Sequence, residues 1–102
     1  RSAMPETLDR PPRIRLHAIV HGFVQGVGFR ANTQRQAVSR AITGWVRNTP
    51  DGTVEVVAEG TEPDVKAFER FLRRGPSAAV VDRVDVTYSE ATGEFSRFNI
   101  RY

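Results

Sequence analysis

Apolar and polar positions alternate strictly from Ile14 to His21. Ile14, Leu16, Ala18 and Val20 fall on one side; Arg15, His17, Ile19 and His21 fall on the other. A period of two predicts a strand with one buried face. From Arg30 to about Ala41 the period lengthens. Thr33, Ala37, Val38 and Ala41 make one stripe, while Gln34, Arg35, Ser39 and Arg40 face water, which predicts a helix broken at Thr43-Gly44. The run "GWVRNTPDGTVEVVAEG" predicts a hairpin. Trp45 to Thr49 is one arm, Pro50-Asp51-Gly52 the turn, and Thr53 to Glu59 the other arm. Thr61 is the expected N-cap of a second helix, with Glu62, Pro63 and Asp64 in its first turn. Val65, Phe68, Phe71 and Leu72 give that helix its apolar stripe. Arg73 and Arg74 suit its C-terminus, and Gly75-Pro76 stops it. Val84, Val86 and Tyr88 alternate as a fourth strand, and Phe98, Ile100 and Tyr102 as a last one.

The order is strand, helix, strand, strand, helix, strand, with an extra C-terminal strand. Two helices covering one face of an antiparallel sheet make an α+β two-layer sandwich of ferredoxin-like type. The other face, with Arg15, His17 and Glu55, is expected to meet solvent in part.

Length and composition narrow the picture. At 102 residues the chain holds one domain. Residues 1–13 carry three prolines and no periodicity and read as a flexible tail, leaving 14–102 as the folded domain. There is no cysteine, so disulfides, thiolate nucleophiles and cysteine-held metals are excluded together. No apolar run approaches the ~20 residues of a membrane span, and no signal-peptide core is present. A cytoplasmic, monomeric protein is the expectation. The net charge of +3 favours anions in a general way, but fifteen basic residues are mixed with twelve acidic ones, as on an ordinary solvated surface.

One stretch does not fit an ordinary loop. "HGFVQGVGFR", His21 to Arg30, holds three glycines, no acid and one arginine. It joins a strand to a helix N-terminus, where backbone N–H groups lack partners and the dipole favours an anion. Gly22, Gly26 and Gly28 allow the backbone to curl into an anion nest. Arg30 carries a positive charge where the dipole disfavours it, a cost that a bidentate oxyanion would offset. Phosphate binding and a merely tight connection are both consistent with these residues. The stretch is not a P-loop, since GK[ST] is missing, and its glycines depart from the dinucleotide pattern. Asn48, before the "TPDG" turn, is either a turn asparagine or an amide at a strand end able to hold a water.

Together these motifs resemble those of the acylphosphatases. Gly22, Val24, Gln25, Gly26, Val27, Phe29 and Arg30 match the family's first signature. Gly44, Trp45, Val46, Arg47 and Asn48, then Gly52, Val54 and Gly60, match its second. The similarity spans about Ile14 to Tyr102. It implies a ferredoxin-like fold and hydrolysis of the carboxyl–phosphate bond of small acyl phosphates, without metal or cofactor. It further implies that Arg30 binds phosphate, that Asn48 positions water, and that the loop amides of Val24, Gln25, Gly26, Val27, Gly28 and Phe29 complete the cradle. Inorganic phosphate or sulfate would fit the same place.

Two other classes deserve comparison. RNA-binding modules share this order of elements but stack bases on aromatic residues of the central strands. The corresponding strand here, "TVEVVAEG", is acidic and has no aromatic, so no nucleic-acid partner is expected. Acylphosphatase-like domains also resemble the first domain of large carbamoyltransferases that mature hydrogenases, where an accessory module acts on carbamoyl phosphate. The chain ends directly after its last strand, which favours a free-standing enzyme. His17 and His21 lack partners at ligand spacing, and no metal site is expected.

Overall fold

A computed structural model describes residues 12–102. Seven elements follow in chain order: β1 (Arg13–Phe23), α1 (Phe29–Ser39), β2 (Thr43–Asn48), β3 (Val54–Thr61), α2 (Glu62–Arg74), β4 (Val80–Glu90) and β5 (Phe98–Arg101). Residues 1–11 of the expected tail lie outside the described residues, and Arg13 already belongs to β1.

The alternation in β1 sorts its residues as expected. Leu16, Ala18 and Val20 are fully buried, and they meet Val54, Val56 and Ala58 of β3. The helices close over this face. Val65, Phe68 and Leu72 of α2 are fully buried, as are Ala37 and nearly all of Phe29 in α1. Phe68 meets Phe98 edge-on at 5.9 Å between ring centroids, which seats α2 against β5. Each large side chain buried here stabilises the fold by roughly 1.5–3 kcal/mol.

The sheet order is β4-β1-β3-β2-β5. The ferredoxin-like sandwich is present, but the sheet is mixed rather than wholly antiparallel, because β5 runs parallel to β2. The reason lies in the connection. β4 and β5 occupy opposite edges, so residues 91–97 must cross the end of the sheet before the chain turns back along β2. Glu59 holds that crossing. Its carboxylate accepts hydrogen bonds from the N–H groups of Thr92 and Gly93 at 2.9 Å each and from the Thr92 hydroxyl at 2.9 Å. Arg15 pairs with it at 3.3 Å.

α1 departs from the expected pattern. It begins at Phe29 and ends at Ser39, and its buried stripe is Phe29, Thr33 and Ala37. Val38 is 66% exposed, because it lies about 100° around the helix from Ala37. The helix is terminated by the left-handed residue Ala41 and not at Thr43-Gly44. Ala41 takes a left-handed φ of 55°. Its N–H reaches the Val38 carbonyl at 3.2 Å, and that of Ile42 reaches Ala37 at 2.9 Å. This is a Schellman ending with alanine where glycine is usual. Gly44 lies inside β2. α2 begins as expected at Thr61, whose hydroxyl oxygen accepts from the Asp64 N–H at 3.4 Å.

The face away from the helices carries paired charge. Glu55 accepts from His17 at 2.7 Å and from Arg47 at 2.7 Å. Trp45 is half-buried there, with the Arg101 guanidinium 4.5 Å from its ring. No helix among the described residues is long and apolar enough to cross a membrane.

Candidate active site

The loop from Val24 to Gly28 connects β1 to α1 at the end of the sheet where β2 finishes. Close to it, β1 bulges between His21 and Gly22 in its pairing with β4. Gly22 is obligatory there, since a Cβ would stand 2.1 Å from the Val80 carbonyl oxygen. Past the bulge, Val24 is buried in the core and Val27 packs against it, so the curl is anchored by its apolar residues.

The curl ends in an uncapped helix. Gly28 is the N-cap of α1 with φ 77°, no side chain caps the first turn, and no acid lies in it. The N–H groups of Phe29, Arg30 and Ala31 therefore have no intrahelical acceptor. Asn32 instead donates backwards through both its backbone N–H, at 3.0 Å, and its side-chain amide, at 2.9 Å, to the Gly28 carbonyl. This leaves a helix N-terminus with its dipole and donors directed at solvent, the arrangement that receives an anion.

Arg30 lies in that first turn. Among the described residues it joins no ion pair with a carboxylate. Its guanidinium sits 4.9 Å from the centroid of the exposed Tyr102 ring, a cation–π contact that leaves the charge unneutralised.

A cleft of about 160 Å³ opens here, lined by Val24, Gly26, Gly28, Phe29, Arg30, Ala31, Asn48, Ile100 and Tyr102. Arg30 and Asn48, eighteen positions apart in the chain, face one space. Four of the six loop residues singled out from the sequence, Val24, Gly26, Gly28 and Phe29, line it directly. Gln25 and Val27 do not. Gln25 instead sends its side-chain amide to the β2–β3 turn, donating to the carbonyls of Thr49 and Thr53 at 2.8 Å each. Ala31, Ile100 and Tyr102 are additions. Ile100 and Tyr102 arrive through the parallel pairing of β5 with β2, which no local pattern reveals. His21 lies outside the cleft and pairs with Asp85 at 2.9 Å.

The β2–β3 turn beside the cleft is tightly knit. Asp51 accepts from the Thr49 hydroxyl, from the Thr53 hydroxyl at 2.8 Å and from the Thr53 N–H at 3.1 Å. These bonds, led by that from Thr49, lower its pKa from 3.8 to about 2. Among the described residues no three of His, Cys, Asp and Glu gather to hold a metal ion.

An uncapped helix start, an arginine and an asparagine meet around one small cleft on a ferredoxin-like frame, a chemistry suited to an oxyanion. Known proteins resemble this chain in sequence and in fold. The acylphosphatase family model matches residues 16–100. A protein named acylphosphatase from Syntrophus aciditrophicus is 49% identical over 88 residues, 86% of this chain and 92% of its own length. Another from Moorella thermoacetica is 51% identical over 88 residues, 86% of this chain and 94% of its own. The crystal structure of acylphosphatase from Bacillus subtilis superposes with a TM-score of 0.84 at 39% identity, covering 87% of this chain and 99% of that one. Full-length HypF, in its phosphate- and nucleotide-bound form, matches with a TM-score of 0.79 at 34% identity; 91% of this chain is covered but only 12% of that one. The chain belongs to the acylphosphatase family.

Proposed function

We propose that the cleft hydrolyses the carboxyl–phosphate bond of small acyl phosphates, with Arg30 and the loop amides holding the phosphoryl group and Asn48 aligning the attacking water. As a member of its family the protein is a hydrolase of acyl phosphates. The observation that carries the assignment of roles is the meeting of Arg30, Asn48 and the uncapped start of α1 on one cleft.

The chemistry needs little more. A carboxylate is a good leaving group and departs with the bonding electron pair without prior protonation, so a general acid is dispensable. Phosphoryl transfer of this kind depends on positioning and on stabilising charge spread over the non-bridging oxygens. The Arg30 fork and the N–H groups of the α1 start supply that stabilisation without reorganising. The side-chain carbonyl of Asn48 accepts a hydrogen bond from water and points its lone pair at phosphorus, in line with the leaving oxygen. An amide is too weak a base to take the proton. A phosphoryl oxygen of the substrate receives it as the new P–O bond forms and the acyl P–O bond breaks. The products are carboxylate and inorganic phosphate. Charge at phosphorus is met by protein donors, so turnover requires no metal ion.

Benzoyl phosphate hydrolysis in EDTA tests this. Asn48→Ala is expected to lower kcat on the order of a hundredfold while inhibition by inorganic phosphate changes little. Arg30→Ala is expected to weaken both turnover and phosphate affinity. Full turnover in both variants would overturn the assignment. The likeness to a segment of HypF supports a second reading, an accessory module specialised for carbamoyl phosphate. That reading requires carbamoyl phosphate to be cleaved in strong preference to benzoyl and acetyl phosphate.

A further inference from the structure

We propose that the side chain of Gln25 is a positioning residue that sets the spacing between the phosphate cradle and Asn48; this rests on the roles given above to the loop and to Asn48. Gln25 sits between Val24 and Gly26, both of which line the cleft, so its backbone is part of the curl. Its side chain crosses to the hairpin 24 and 28 residues further along the chain.

The two acceptors bracket Asn48. Thr49 follows it directly in the chain. Thr53 precedes Val54, the residue paired with Asn48 across the β2–β3 ladder. The single Nε2 donates to both carbonyl oxygens at 2.8 Å. An –NH₂ group has two N–H bonds in fixed geometry, so both are committed and the amide plane is set. A one-point tether would allow the loop to swing; a two-point tether fixes it against both strands of the hairpin at the level of Asn48.

The hairpin end is itself stiff. The Thr49 N–H donates to the Thr53 carbonyl at 3.0 Å, and Asp51 ties the two threonines from inside the turn. Gln25 thus joins two rigid bodies, one presenting donors to phosphate and the other presenting the water-aligning amide. In-line attack needs these within a narrow distance, and an error near 1 Å can cost about a hundredfold in rate. Phosphate binding by Arg30 and the α1 start does not depend on that distance.

The test compares wild type with Gln25→Met and Gln25→Glu. Methionine keeps the length and removes both donors; glutamate keeps the shape and places a carboxylate against two carbonyl oxygens. Measured quantities are kcat and KM for benzoyl phosphate, the inhibition constant of inorganic phosphate, and the denaturation midpoint. We expect kcat to fall at least about tenfold in both variants. Phosphate inhibition is expected to stay within about threefold and thermal unfolding to remain cooperative. Gln25→Met placed on Asn48→Ala is expected to cost almost nothing more, since the amide it positions is gone. A variant that is folded, lower in midpoint, and unchanged in kcat would show that the strap serves the fold alone and would overturn the inference. A loss from Gln25→Met as large in the Asn48→Ala background as in wild type would do the same. If Asn48→Ala keeps full kcat, the role of Asn48 fails independently; if Asn48→Ala is impaired and both Gln25 variants are not, only the present inference fails.

Discussion

Arg30 shows how much a single residue's neighbours decide. An arginine in the first turn of a helix opposes the dipole, at a cost of some tenths of a kcal/mol at an exposed position. Here Arg30 lies beside the Tyr102 ring, which leaves its charge available. Asp51 shows the reverse case, an acid with one carboxylate oxygen bonded three times by its own turn. Its pKa lies at about 2, below the ordinary 3.8, so its contribution to stability is complete above the ordinary value and fades as pH falls toward 2. The stability difference between wild type and Asp51→Asn, followed by urea unfolding across pH, is therefore expected to be constant near neutrality. It should shrink only below about pH 4. A difference that already declines at pH 6 would mean that the turn's threonines do not hold the ionised form.

At the scale of elements, α1 is the least regular piece, and its first turn lines the candidate site. Its N-terminus has no side-chain cap, and past its C-terminus an alanine takes a left-handed φ of 55°. Left-handed backbone costs a non-glycine residue roughly 1–2 kcal/mol. Ala41→Gly is thus expected to stabilise the protein by about 0.5–1 kcal/mol, after the extra freedom of glycine in the unfolded chain is subtracted. Kinetic constants should not change, because Ala41 lies at the opposite end of α1 from the cleft. Chemical denaturation with an unchanged m-value is the measurement. α2, by contrast, follows the rules at both ends: a threonine cap, acids in the first turn, arginines in the last.

For the whole molecule, the crossing from β4 to β5 is the decisive feature, and Glu59 is its fastening. Burial alone would raise the Glu59 pKa, but the N–H groups of Thr92 and Gly93, the Thr92 hydroxyl and Arg15 outweigh it and hold it below the ordinary value. The carboxylate therefore stabilises the fold above the ordinary carboxylate range, and this is lost as pH falls through the lowered value. Glu59→Ala removes the acceptor for three hydrogen bonds and leaves Arg15 without this partner. We expect a loss of about 3 kcal/mol in urea unfolding. Because β5 delivers Ile100 and Tyr102 to the cleft, phosphate affinity should fall as well. A variant with wild-type stability would show that the crossing is held by other contacts.

Most of the fold was legible in the chain. Period-two runs in β1 and β3 and the capped stripe of α2 are local signals, and local geometry translates them directly into buried and exposed faces. The curled loop was legible too, because its glycines have no solvated alternative use between apolar anchors. The end of α1 was not, since nothing local marks Ala41 as left-handed; the close seating of Ile42 imposes it. By itself the sequence determined the elements and most of their faces, and its motifs marked Arg30 and Asn48 as the candidates for chemistry. Only the tertiary structure decided that β5 lies parallel to β2, that the Tyr102 ring comes beside Arg30, and that Gln25 turns from the cleft to hold the hairpin. These are contacts between segments 24 to 72 positions apart, and neither propensity nor periodicity carries information over that separation.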